Sequence, residues 1–359
     1  MTEQAADGTV KHSSRTRMAA RIVLALALIV VIFWYLLKDI SLADVWAAIT
    51  AMTWIELAGL LAIAAWNLVT YAFVWMTVTP GLTFGRAMIM TQATTAITNT
   101  VPAGSAVGIG MTYAMLGSWG FSRGRTTIAV LVSGVWNAFA KLAIPVLALA
   151  LVALQGNASA ARITAAAVGI GGLVAAIVIF ARMLRSEHMA ERVGILAGRV
   201  VSKLLALIRR PPVQGWELAT VKFRNRTVDL LEHGWFPITA ATVVSHLSLY
   251  LVLLVCLRDV GISDAEVGWA EVLAVFAFAR LATAVPVTPG GAGVVEAVLI
   301  TGLVAAGGDK PEVVAAVLVY RALTWGLPVL VGVVCLLWWR KQTLTEPAGE
   351  AGATRAAQP

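Results

Sequence analysis

Arg280, Glu296 and Arg321 fall in or beside apolar stretches in the last third of the chain. Charge at membrane depth is expensive, so an ionisable side chain kept there either serves function or fixes packing. Val285 to Glu296, V-P-V-T-P-G-G-A-G-V-V-E, separates the first two of these charges and breaks the apolar region with Pro286, Pro289, Gly290, Gly291 and Gly293. Proline removes an amide donor and glycine relaxes the helix, which exposes backbone groups that lipid cannot satisfy. Such backbone persists where it is buried in protein or lines a wet cavity. Val294 to Ala306 reads as a helix, so Gly290 to Gly293 sit at a helix N-terminus whose amides suit a phosphate or carboxylate. A plain tight turn with Glu296 as its capping residue is the competing account of the same letters.

Two arginines against one acid leave an excess of positive charge suited to an anionic headgroup, held by the planar guanidinium forks. Glu296 serves in this reading as a resting counter-ion, displaced or protonated when substrate arrives. A purely structural ion pair remains the alternative.

The elements that carry these residues are apolar helices. With 59% hydrophobic and 13% charged residues in a chain of 359, and a mean hydropathy of +0.84, there is too little polar surface to cover a soluble fold. The expected class is an all-α polytopic membrane protein. Cys256 and Cys335 each lie in an apolar run, and the four histidines show no ligand spacing, so neither a disulfide framework nor a metal centre is implied. No Walker motif suggests ATP, and no cofactor is expected. The net charge of +8 raises nucleic acid as a partner, but its placement favours an anionic membrane surface.

In order, residues 1–17 form a polar cytosolic tail, and 18–37 a first span rather than a cleaved signal. Full spans follow at 54–79, 126–154, 162–184, 235–257 and 311–339, each near the length a bilayer requires. The pieces 86–101 and 107–118, divided by Pro102 to Gly110, are too short to cross, as are 267–285 and 294–306. They read as two re-entrant hairpins. One domain therefore covers 18–340, with repeats near 54–154 and 235–339 and a disordered cytosolic tail at 341–359.

Residues 185–234 are the sizeable polar block. Met189, Val193, Leu196, Val200, Leu204 and Leu207 share one arc of a helical wheel, and Arg185, Arg192, Arg199, Lys203 and Arg210 another. This is the pattern of an interfacial helix on anionic lipid, or of a helix packed under the bundle. With the N-terminus cytosolic, 20 of the 27 basic residues fall on inner segments and Lys38, Arg258 and Lys310 on outer loops, which obeys the positive-inside rule.

The two broken regions match in kind and order. Residues 98–110 resemble 282–293, and V-W-N-A-F-A-K-L-A-I-P at 135–145 resembles V-Y-R-A-L-T-W-G-L-P at 319–328, pairing Pro102 with Pro286, Gly108 with Gly291, Gly110 with Gly293 and Asn137 with Arg321. One-residue gaps are needed, and Gly-rich apolar segments also match by chance. The charge assignment inverts the two copies. Inverted repeats with interrupted half-length helices are expected of a transporter whose site lies where the breaks meet. Lys141, near Asn137, either serves that site or snorkels to an interface. Asn67, Asn99 and His246 read as helix-packing residues.

The stretch P-V-T-P-G-G-A-G-V-V-E at 286–296, followed by V-Y-R-A-L-T-W-G-L-P at 319–328, resembles the flippase-like transmembrane region of the lysylphosphatidylglycerol synthase family across most of 18–340. The resemblance implies movement of lipid between leaflets. It does not bring lipid aminoacylation, because no aminoacyl-transferase domain follows residue 340. The first hairpin is more apolar than the second, so its role carries over less directly. Three functions are weighed. The first is a lipid flippase for an anionic phospholipid or polyprenyl-phosphate-linked lipid. The second is a lipid-modifying enzyme, for which no nucleophile, base and acid constellation is present. The third is a scaffold binding anionic lipid or an envelope-biosynthesis enzyme. Paired broken helices favour the first.

Overall fold

The computed structural model describes residues 42–101, 104–154, 160–207, 216–283 and 288–345. All elements among them are helical. They are α1 (Leu42–Thr50), α2 (Trp54–Val78), α3 (Phe84–Thr100), α4 (Gly104–Ser118), α5 (Arg123–Leu154), α6 (Ala160–Arg185), α7 (Glu187–Leu207), α8 (Trp216–Asp259), α9 (Trp269–Ala282), α10 (Val294–Ala305), α11 (Lys310–Arg321) and α12 (Leu327–Thr345). A 3-10 turn at Pro289–Gly291 precedes α10, and a π turn at Ala322–Gly326 joins α11 to α12.

Five helical stretches are long and apolar enough to cross a membrane: Trp54–Val78, Arg123–Val152, Ala167–Arg185, Gly234–Asp259 and Lys310–Thr343. They coincide with five of the six spans expected from sequence; the sixth, at 18–37, lies outside the described residues. Val168, Val174, Ile179, Leu247, Leu330 and Leu337 are exposed to a degree that water would not tolerate and lipid would. The chain is an integral membrane protein.

Two compact units divide the chain. The first gathers the described residues within 42–69, 85–120 and 247–345. Here α2 opens with a reciprocal cap: the Thr53 amide donates to Glu56 Oε2 at 2.7 Å, and the Glu56 amide donates to Thr53 Oγ1 at 3.3 Å. Ser263 and Glu266 repeat the device before α9. Those bonds stabilise the ionised Glu266 carboxyl and hold its pKa below the ordinary value. The arms α9 and α10 pack together where Gly302 faces Val275; a Cβ on Gly302 would come within 2.6 Å of Val275 Cγ1. Gly332 of α12 lies directly on the Gln92 main chain and the Ala96 methyl of α3, with no space for a side chain. Asn67 Nδ2 donates to Ser248 Oγ at 2.7 Å, the interhelical role expected of that amide.

The second unit gathers residues 70–84 and 121–246. Along α5 and α6, Trp136, Phe139 and Phe180 meet edge to face, with centroids 5.4 to 6.5 Å apart. Trp136 Nε1 donates to Thr239 Oγ1 at 2.9 Å. Helix α7 buries a stripe of small residues, Ala190, Gly194 and Gly198. Its aliphatic Ile195 and Leu196 stay exposed, as do Arg192, Arg199 and Lys203. Arg224 ties α8 down by donating Nε to the Leu184 carbonyl at 3.0 Å and Nη1 to Glu187 Oε1 at 3.3 Å.

Two expectations are corrected. The polar block does not end before a separate span: α8 runs from Trp216 to Asp259 with Pro237 inside it, a residue that removes one amide donor from the ladder. The first break is shorter than Pro102 to Gly110. Helix α4 has begun by Gly104, and Gly108 and Gly110 lie within it; Pro102 is outside the described residues. The final span runs Lys310–Thr343 as expected, with the π turn inside it.

Candidate functional site

Helix α10 begins after a backbone reversal that glycine alone accepts without strain. Gly290, Gly291 and Gly293 have φ of 60°, 69° and 82°, in the left-handed region closed to most side chains. Pro289 sits at the first position of the 3-10 turn, and Thr288 Oγ1 donates to the Ala292 carbonyl at 2.7 Å to brace it. The turn consumes amides that the sequence had offered to a ligand: Gly291 N–H donates to Thr288 O at 3.1 Å and Ala292 N–H to Pro289 O at 3.2 Å.

Charged side chains stand around the turn. Glu296, 4% exposed, is no cap; it accepts from Arg321 Nε at 2.7 Å through Oε1. Its Oε2 is buried with no hydrogen-bond partner. Arg321 Nη2 reaches the Gly290 carbonyl at 3.4 Å, so one guanidinium joins the acid and the turn. Arg321 lines a cavity of about 170 Å³, whose wall also includes Arg280, Asn99, Thr283, Tyr320 and Trp325.

The π turn places Trp325 and Thr324 against this cavity. Pro328 has no amide to offer the Thr324 carbonyl four residues back, and Leu327 N–H bonds to Ala322 O, five residues back. The Trp325 indole nitrogen is buried without a hydrogen-bond acceptor. A Cβ at Gly290 would come within 2.6 Å of that nitrogen and 2.9 Å of Asn99 Oδ1. The turn is therefore closed over by an indole from the π segment and an amide from the end of α3.

The expected residues divide accordingly. Arg280, Gly290 and Arg321 line the cavity; Glu296 bonds to one of them, and Pro289, Gly291 and Gly293 shape the turn. Pro286 lies outside the described residues. Gly108 is buried, and a Cβ there would meet Thr98 Oγ1 at 2.6 Å, so it lets α4 approach α3; Gly110 has open space. Neither lines the cavity. Asn137 and Lys141 are half-buried, one turn apart on α5 in the second unit, and are not lining residues either. Sequence reasoning took Asn99 for a helix-packing residue and did not single out Trp325. The tryptophan stands inside the V-Y-R-A-L-T-W-G-L-P motif, four residues after Arg321, and its donor was the signal to follow.

Among the described residues no group of three or more His, Cys, Asp or Glu side chains could hold a metal ion. The polar groups that line the cavity include guanidinium and indole N–H donors. No curated protein matches the chain. The family model for the lysylphosphatidylglycerol synthase TM region matches residues 22–332. The chain thus belongs to the family of the lysylphosphatidylglycerol synthase transmembrane region.

Proposed function

We propose that this protein moves an anionic phospholipid or a polyprenyl-phosphate-linked lipid between the leaflets of a bacterial plasma membrane, without acting as an enzyme on it. In this reading six helices span the bilayer, the first at 18–37. The pairs α3–α4 and α9–α10 are re-entrant hairpins of an inverted repeat, and both termini are cytosolic. The headgroup enters the cavity beside Arg280, Arg321 and Trp325 while the hydrocarbon stays in the bilayer.

The observation that carries this reading is Arg321, paired with buried Glu296 at a broken helix and lining a cavity that Arg280 also lines. Among these three charges the balance is one positive, and the donors converge on a space where lipid chemistry needs no covalent step. Glu296 Oε2 is buried with no hydrogen-bond partner, so the acid holds the arginine through one oxygen alone.

The test is flipping of a fluorescent anionic phospholipid in vesicles carrying the purified full-length protein. The parent chain should accelerate it, and Arg280→Gln should slow it about tenfold, the worth of one charge-assisted hydrogen bond. Flipping no faster than in protein-free vesicles removes transport from the reading. A second reading, a non-transporting scaffold that binds anionic lipid or a cell-envelope enzyme, draws on α7, whose Ile195 and Leu196 are exposed beside Arg192 and Arg199. It is what would remain in that case.

A further inference from the structure

The cavity beside Arg321 has a wall that the transport reading leaves unused. Helix α3 carries Thr95 and Asn99 one turn apart, both half-buried and both lining that cavity. The other four threonines of α3 donate their hydroxyls to main-chain carbonyls of the same helix: Thr91 to Met88, Thr94 to Met90, Thr98 to Thr94 and Thr100 to Ala96, at 2.7 to 3.1 Å. Thr95 and Asn99 make no side-chain hydrogen bond to any described residue, and their polar atoms reach open space, unlike the sealed Trp325 nitrogen. A hydroxyl and an amide left this way are unfavourable until water or a ligand completes their bonds.

The rest of the wall narrows what such a ligand brings. Arg280 and Arg321 supply planar cationic donors for a phosphate. Thr283 and Thr324 donate to the Arg280 and Tyr320 carbonyls at 2.6 and 2.7 Å, so only oxygen lone pairs remain on them. Gly290 is where cation and amide meet: Arg321 Nη2 lies 3.4 Å from its carbonyl, and Asn99 Oδ1 lies 2.9 Å from the point its Cβ would occupy. A group that both donates and accepts therefore finds partners on the α3 side, next to the place for the anion. Arg280 and Arg321 already outnumber Glu296, so an ammonium there adds a third cation, whereas a hydroxyl adds no charge.

We propose that Thr95 and Asn99 recognise a hydroxyl carried next to the phosphate, so that the ligand is a phosphodiester with a polyol arm rather than a bare phosphate or an amine-bearing headgroup. The polyol belongs to a glycerophospholipid or to a sugar on a polyprenyl phosphate, and the recognising chemistry is the same for both. The inference rests on the headgroup site proposed above and adds the residues that choose among headgroups.

Binding to the purified full-length protein, in an uncharged detergent without a sugar headgroup, tests the assignment with two matched pairs. Dihexanoyl phosphatidylglycerol is set against dihexanoyl phosphatidylmethanol, and geranyl phosphoryl glucose against geranyl methyl phosphate; within each pair the charge and the hydrocarbon are the same and the methyl ester lacks the hydroxyls. In at least one pair the polyol should bind about tenfold more tightly, and Thr95→Val and Asn99→Leu should each cut that preference about fivefold, as loss of one uncharged hydrogen bond does. Thr95→Val should keep its Tm, because the hydroxyl has no protein partner to lose. A preference in the first pair identifies a glycerophospholipid and one in the second a polyprenyl carrier; either supports the proposal. Equal binding within both pairs, tighter binding of dihexanoyl phosphatidylethanolamine than of the preferred polyol, an undiminished preference in both variants, or a fall in Tm for Thr95→Val overturns it and leaves the headgroup site standing. Arg280→Gln should weaken every probe. Parental affinity in that variant, or no saturable binding by the parent chain, overturns the headgroup site together with the proposal.

Discussion

Arg321 donates through Nε to Glu296 Oε1 across 2.7 Å, linking the end of α11 to the first turn of α10, 25 positions earlier in the chain. Both side chains are largely buried, at 14% and 6% exposure, so each is the reason the other is tolerated. Removing one partner should cost about 3 to 5 kcal/mol by stranding the other charge, whereas removing both should be nearly neutral for folding. Thermal unfolding of Arg321→Ala, Glu296→Ala and the double variant in detergent checks this. The double variant should regain Tm over either single change and yet fail to flip the anionic lipid. Parental transport in a stable double variant would reduce the pair to packing.

Two glycines of the paired motifs should part company. Gly290→Ala puts a Cβ on a residue at φ 60° and within 2.6 Å of the Trp325 indole nitrogen. Left-handed strain of about 1–2 kcal/mol adds to an overpacking penalty of about 1–3 kcal/mol. Gly110→Ala meets nothing within 4 Å in the interior of α4, and should gain about 0.5–1 kcal/mol of helix stability. Urea or heat denaturation of the two variants measures the difference, and equal effects would contradict the geometry of the turn.

The surface of α7 offers a third test. Exposed Arg192, Arg199 and Lys203 flank exposed Ile195 and Leu196. Changing the three cations to glutamine in a peptide of residues 187–210 should weaken its binding to anionic vesicles by about 1 kcal/mol per charge at low salt. Unchanged affinity would mean that this face is made for protein.

Sidedness is open to labelling. Cysteines at Ser159 and Asp309 should react with an impermeant thiol reagent applied to sealed cells, and one at Gln214 should not. Equal reaction at Ser159 and Gln214 would sink the inverted topology.

Much of this was legible in the letters because the rules involved are local. Arginine and glutamate in apolar runs mark themselves, P-G-G-A-G marks a reversal, and five stretches announce their length. What stayed hidden depends on distant residues meeting. Asn99 reads as an ordinary packing amide until the end of α3 is seen beside Gly290. Gly108 and Gly110 look like a break because glycine serves close packing and broken helices alike, and the sequence near them does not separate the two uses. The amides of Gly291 and Ala292 looked available because nothing in their spelling reveals that Thr288 and Pro289 accept from them.

Gly332 sits on the main chain of Gln92 and the methyl of Ala96 with no gap. Backbone cannot move aside as a flexible side chain does, so even alanine at this position pushes α12 off α3. Gly326, less than two turns earlier, faces open space. A saturation library selected for folded protein should therefore collapse at codon 332 onto the four glycine triplets, while codon 326 stays diverse. Such a lone invariant letter in a tolerant apolar run would record where two helices touch with nothing between them.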